Sequence, residues 1–378
     1  MTRFLWILLP ILSVSLMAAD TVVYPPLNEE LIPENEAAEI AGLTKGTEMA
    51  FLASQKEGAT ATRDAHAKHH GCVHAKLDVL PGLKGDLKQG IFASEQSYKA
   101  WIRYSNGTGK VQPDFIPDGR GMAVKVVGVD GDREVLQHGD ELHTQDFLMI
   151  NFPQFFVKNT RDYIGFVKDQ KAFMATHEEE RKIATAIGTQ IVTSPLENIY
   201  FSMTPILMGK RAIKFRAMPC VWKNTIIHKD LDLRPMIKIL TSLKSPEDLA
   251  AKAKDLLPYA GYLRQVMKTQ LEEGDACYQF AVQFQENNKT EPVENPMVEW
   301  KTEFHDVARI SIEKQSFDSK EQHDFCENLT LTPWHALKAH RPIGGIQRAR
   351  KPIYEVISRL RHEHNKVEQK EPTGDERF

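Results

Sequence analysis

Cysteine is scarce in this 378-residue sequence and charge is almost cancelled: there are 4 cysteines, and 48 Lys and Arg stand against 51 Asp and Glu, a net charge of -3. The near balance removes the electrostatic footprint that nucleic acid or an anionic membrane surface would need. Cys72, Cys220, Cys277 and Cys326 form no C-x-x-C and no C-x-x-C-H, which excludes a thioredoxin-type redox pair, a zinc ribbon and covalent haem attachment of the c type. They can pair in three ways or stay free. Long apolar runs are also absent beyond the start of the chain. There, Arg3 precedes an uncharged apolar stretch from Phe4 to Met17, followed by Ala18 and Ala19. That stretch is short for a membrane span of about 20 residues but suits the apolar centre of an export signal. Residues 1–19 are therefore expected to be a signal peptide, the alternative being an uncleaved anchor, and the mature chain to be periplasmic or secreted with no membrane span.

What remains has ordinary globular composition, with 42% apolar and 26% charged residues. Residues 20–45 carry Pro25, Pro26 and Pro33 among glutamates and read as an extended N-terminal arm. From 73 to 162, short apolar runs with period-two alternation, such as Met122, Val124 and Val126, are separated by glycine-rich turns. This pattern predicts an antiparallel sheet or barrel. Further strands are expected at 211–219, 276–284 and 307–312, and helices at 159–189, 245–272 and 352–361, giving an α+β chain with a folded domain over 46–362. Residues 363–378 are polar and expected to be a disordered tail.

Histidine is locally dense: His66, His69, His70 and His74 fall within nine residues. A solvated basic loop and a zinc site are both open readings of that cluster, although Gly71 and the strand pattern argue against a helix carrying His66 and His70 on one face.

Several motifs in sequence order resemble those of the catalase family. They are Arg63-Asp64-Ala65-His66-Ala67-Lys68, Arg103-Tyr104-Ser105, Asp118-Gly119-Arg120-Gly121-Met122-Ala123-Val124-Lys125, Asn151-Phe152-Pro153-Gln154-Phe155-Phe156, and Arg350 with Tyr354 and Arg361. The resemblance covers about residues 50 to 362. It implies a catalase-like antiparallel β-barrel with helices packed around it, and a C-terminal helix carrying the proximal ligand of haem b. It further implies Tyr354 as the iron ligand and His66 as distal acid–base. Ser105 would bond to His66, Asn151 would be the distal amide, and Arg63, Arg103, Tyr163, Arg350 and Arg361 would surround the haem. Departures from the family pattern are Ile150 where the first of two asparagines usually stands, which leaves the amide open by one position, Ser358 one place after the usual threonine, and a longer approach to Tyr354.

The residue types suit that chemistry. A free phenol has a pKa near 10, and an arginine at i-4 can donate to its oxygen and hold it ionised. A neutral imidazole can carry a proton from one peroxide oxygen to the other, and an amide can steady the bound peroxide. The expected function is a haem-dependent peroxidase or catalase taking peroxide and a small organic reductant, as a monomer or dimer. A fatty-acid hydroperoxide lyase or allene oxide synthase, and a non-catalytic haem-binding protein, are the alternatives.

Overall fold

The computed structural model describes residues 24–134, 136, 141–223 and 225–378; the expected signal, 1–19, lies outside them. Its strands are β1 (His69–Val79), β2 (Ser97–Asn106), β3 (Arg120–Val127), β4 (Thr144–Ile150), β5 (Tyr200–Phe201), β6 (Ile206–Met208), β7 (Arg211–Pro219), β8 (Ile227–His228), β9 (Leu231–Asp232), β10 (Ala276–Phe284) and β11 (Phe304–Ile312). The large sheet runs β10-β11-β1-β2-β3-β4-β5-β7-β6, and β10 also pairs with β7. That pairing closes an eight-stranded antiparallel barrel, with β6 added outside the ring on β7.

The alternation seen in the sequence decides the barrel's two faces, because successive strand residues point to opposite sides. Val73, Ile102, Tyr104, Val124, Phe147, Phe215, Phe280 and Ile310 fill the interior. The outward face of β2, β3 and β4 then presents Arg103, Ser105, Gly121, Ala123, Leu148 and Ile150.

Nine described helices surround the barrel: α1 (Glu36–Ser54), α2 (Thr160–Lys168), α3 (Gln170–Thr176), α4 (Glu178–Gly188), α5 (Arg234–Ser242), α6 (Pro246–Leu256), α7 (Tyr262–Glu273), α8 (Lys320–Asn328) and α9 (Gly345–Asn365). Ser245 caps α6 through a reciprocal pair with Asp248. α9 packs on α1 through Leu43, Phe51, Ala349, Ile353 and Ile357.

Two sequence expectations are corrected here. The arm is not extended to residue 45, since α1 starts at Glu36. Its Glu30 and Glu36 pair with Arg348 of α9, whose Nε lies 2.6 Å from Glu36 and whose Nη1 bonds Glu30, while Glu294 from outside the arm lies 3.0 Å from Nη2. Nor is 363–378 a loose tail. Asp375 ion-pairs with Lys99, Glu376 accepts from the Trp101 indole at 2.8 Å, and the Phe378 ring lies 5.1 Å from that of Phe325. Polar composition suggested fraying, but Asp375, Glu376 and Phe378 are held by residues far along the chain.

The cysteines pair as Cys72–Cys326, joining β1 to α8, and Cys220–Cys277, joining the ends of β7 and β10. No described helix is long and apolar enough to cross a membrane.

Candidate active site

Between the outward face of β2–β4 and α9 lies a cavity of about 730 Å³, counting its mouth. The barrel side contributes Arg63, Asp64, His66, Arg103, Ser105 and Ile150. The helix side contributes Arg350, Tyr354, Ile357, Ser358 and Arg361, and Met203 adds an apolar side chain.

His66 sits in the loop before β1 with φ 58°, a left-handed conformation uncommon outside glycine and concentrated at functional sites. Its Nδ1 lies 2.9 Å from the Asn106 carbonyl oxygen and 3.1 Å from Ser105 Oγ. A carbonyl only accepts, so Nδ1 carries the proton and Nε2 keeps its lone pair. Burial, followed by the nearby guanidinium groups of Arg103 and Arg350, lowers the imidazole pKa to about 4, so the ring is neutral near pH 7. Gly121 is required beside it, because a Cβ there would stand 2.6 Å from His66 Nδ1 and 2.7 Å from Ser105 Oγ.

On α9, Arg350 donates from Nη2 to the Tyr354 hydroxyl oxygen at 2.9 Å, which the four-residue spacing allows. Ser358 Oγ meets Thr330 Oγ1 at 3.2 Å.

The arginines share few carboxylates. Arg63 bonds the Glu327 carboxylate at 3.2 Å and the Glu327 and Leu329 carbonyls. Arg361 bonds the Glu327 carbonyl, and Arg103 donates to the His66 carbonyl at 2.9 Å. Arg103 Nε and Arg361 Nε are buried with no acceptor. Burial lowers the Arg361 pKa to about 9, and Arg63 next to it adds to the effect. Two such unsatisfied cationic donors are costly alone and are what a carboxylate-bearing group in the cavity would satisfy.

Two expected site residues are not brought to the cavity. Asn151 spends its amide elsewhere: Oδ1 accepts from the Arg120 backbone N–H at 2.7 Å and Nδ2 donates to Gln190 at 2.8 Å. Strand alternation turns it away and gives the cavity position to Ile150. Tyr163 packs in an aromatic cluster with Phe155, Phe156 and Phe166 on α2 rather than lining the cavity. Its hydroxyl pKa is raised, mainly by burial and then by Asp64.

The histidine cluster also separates. His70 bonds Asn106 Oδ1 at 3.0 Å, and His74 lies on Trp101 with ring centroids 3.8 Å apart. Among the described residues no three His, Cys, Asp or Glu side chains gather to hold a metal ion, which removes the zinc reading's support.

The sequence reading missed Asp64, Glu327 and Met203. Asp64 lay inside the quoted motif; it lines the cavity, and desolvation there raises the pKa of its carboxyl. Met203 has φ 59° and Glu327 acts over long range, so neither leaves a local signal.

No protein-family profile and no curated protein matches the chain by sequence. Solved structures do match. A fungal catalase has TM-score 0.58 at 12% identity, over 92% of this chain and 68% of that one. A bacterial catalase has 0.55 at 15%, over 91% and 64%. Catalase A from Saccharomyces cerevisiae has 0.55 at 12%, over 93% and 68%. The chain spans about two thirds of the length of these proteins. At such identities the likeness is one of architecture, and on it the chain has the catalase-like fold.

Proposed function

We propose that the chain is a haem-dependent peroxide-consuming enzyme, peroxidase or catalase in type. The observation that carries this reading is the His66 ring, neutral and fixed as its Nδ1–H tautomer, in one cavity with the Arg350–Tyr354 pair.

The residues suit haem b. Tyr354 offers an oxygen ligand with Arg350 steadying its negative charge, and the unsatisfied Nε–H groups of Arg103 and Arg361 suit the two carboxylates of the porphyrin. When bound, the haem would supply a ferric centre, favoured by an anionic oxygen ligand, at which the peroxide O–O bond breaks. His66 Nε2 takes the proton from one oxygen and returns it to the leaving oxygen. Ser105 Oγ and the Asn106 carbonyl hold the ring in place. Asp64 adds a second titratable group to the cavity.

Peroxidase is favoured over catalase because Ile150 replaces the amide that would steady a second hydrogen peroxide. The apolar side chains of Leu148, Ile150 and Met203 support a second reading on the same site, the rearrangement of an organic hydroperoxide without a reductant. Arg3 with the apolar stretch after it, together with two disulfides, supports export to an oxidising compartment.

The test is to load the protein with haem, record its visible spectrum, and follow oxygen evolution, donor oxidation and hydroperoxide loss. Donor oxidation dominates under the favoured reading. Tight haem binding with no turnover of any peroxide overturns it in favour of a haem carrier or sensor.

A further inference from the structure

Outside the cavity, the outward face of β1 and β2 carries a ladder of paired residues: Cys72 with Arg103, His74 with Trp101, and Lys76 with Lys99. Each rung is two residues from the last, roughly 6.6 Å along the strands, so Arg103 in the cavity lies roughly 13 Å from the Lys76–Lys99 rung. That outer rung opens on a second, solvent-open groove lined by Lys76, Lys99, Lys314 and Arg377 together with the carboxylates Glu313 and Asp375. Lys76 pairs with Glu313 and Lys99 with Asp375. Arg377 lies 3.2 Å from His74 Nε2 and donates to the Glu376 carbonyl oxygen at 3.3 Å, and only the backbone N–H of Lys314 meets a carboxylate, that of Asp275; neither side chain forms a salt bridge among the described residues.

The middle rung joins the two spaces. His74 lines the outer groove and lies on Trp101, with ring centroids 3.8 Å apart. Trp101 is fully buried between His74, Phe325 and Phe378. Its indole N–H donates to the Glu376 carboxylate at 2.8 Å. An indole held against a carboxylate gives up an electron more readily than a free one, because the carboxylate stabilises the developing positive charge and can accept the N–H proton.

We propose that the groove binds the reducing substrate, an anionic phenol, and that Trp101 passes its electron to the cavity. This rests on the peroxide-consuming reading above, which supplies peroxide as the oxidant. Trp101 loses one electron to the peroxide-oxidised cavity, and its Nε1 proton moves to Glu376. The phenol then returns an electron to Trp101 across His74, Glu376 gives the proton back to the indole, and the phenol leaves as a phenoxyl radical, its own proton passing to water. Two such turns reduce one peroxide to water and alcohol, or to two waters. The side chains of Lys314 and Arg377, which no salt bridge neutralises, select a donor bearing a carboxylate.

Binding is tested on the haem-free chain by calorimetry with 4-hydroxyphenylacetate and, as its cationic counterpart, tyramine. The acid is expected to bind at least tenfold more tightly, and Lys314→Glu with Arg377→Glu to abolish that preference; equal affinity for the two probes overturns the groove assignment. On the haem-loaded protein, Trp101→Phe and the milder Glu376→Gln are expected to slow 4-hydroxyphenylacetate oxidation at least tenfold while the donor-free reaction with peroxide, followed by stopped-flow absorbance, keeps its rate. Unchanged donor oxidation in both variants overturns the route. A wild-type protein that shows no reaction with peroxide overturns the enzymatic reading and the route with it, whereas the calorimetry still reports on the groove.

Discussion

Arg350 Nη2 donates to the hydroxyl oxygen of Tyr354 at 2.9 Å from one turn earlier on α9, and its guanidinium carbon lies 5.1 Å from the centre of the same ring. The arginine thus fixes the position of the phenol oxygen. Tyr354→Phe removes that oxygen. The haem-loaded variant should lose the tyrosinate-dependent bands of the visible spectrum and release haem faster than the wild type. An unchanged spectrum would mean that another group binds the iron.

His66→Ala removes the proton carrier without touching the helix side of the cavity. The second-order rate of peroxide reaction should fall by about 10²–10⁴, the usual worth of a positioned acid–base group, with haem affinity retained. Rapid mixing of the loaded variant with peroxide measures the first quantity and haem titration the second.

The His66 pKa of about 4 sets a pH profile. Nε2 is free above that value, so the peroxide rate should hold level from pH 8 to about 5 and fall below about 4, as the ring takes up a proton. Stability follows the same sign. His66, His70 and His340, lowered to about 4, 3 and 4, stay neutral in the fold but bind protons when unfolded below about pH 6.5. Their contribution is full above pH 6.5 and is lost as pH falls toward 4, on the order of a few kcal/mol for each. Thermal melts between pH 7 and 4 should show Tm falling steadily, and a flat profile would contradict the burial of these rings.

Gly121→Ala places a methyl 2.6 Å from His66 Nδ1. The backbone there needs no glycine conformation, so the fold should survive with Tm within a few degrees of the wild type. The peroxide rate should drop at least tenfold because the ring must move off the Asn106 carbonyl. Wild-type kinetics in this variant would mean that the ring position is not critical.

Ile150→Asn puts an amide on the cavity wall at the position that Asn151 does not reach. Oxygen evolution from hydrogen peroxide should rise several-fold relative to donor oxidation, and consumption of bulky organic hydroperoxides should fall. Parallel electrode and donor assays on one preparation decide it.

The barrel was legible because each strand announces its two faces by period: Met122, Val124 and Val126 point inward and leave Gly121 and Ala123 to the cavity. α9 was legible around Tyr354 for the same kind of local reason, although it begins earlier, at Gly345. What was not legible depends on partners far along the chain. The Trp101–Glu376 bond joins positions 275 residues apart and Arg348–Glu36 joins positions 312 apart, so neither the ordered C-terminal segment nor the helical start of the arm leaves a local mark. Asn151 misled in the opposite way. Its motif is intact, but a single step along the strand turns its side chain to Arg120 and Gln190.

The β7–β10 pairing seals the barrel around its own aromatic filling and leaves the cavity wholly on the outside. Folding stability and chemistry are therefore housed in separate layers, and the chamber is a clasp added to a core that is complete without it. Side chains such as Ile150, Asp64 and Met203 can change without altering the packing that closes the ring.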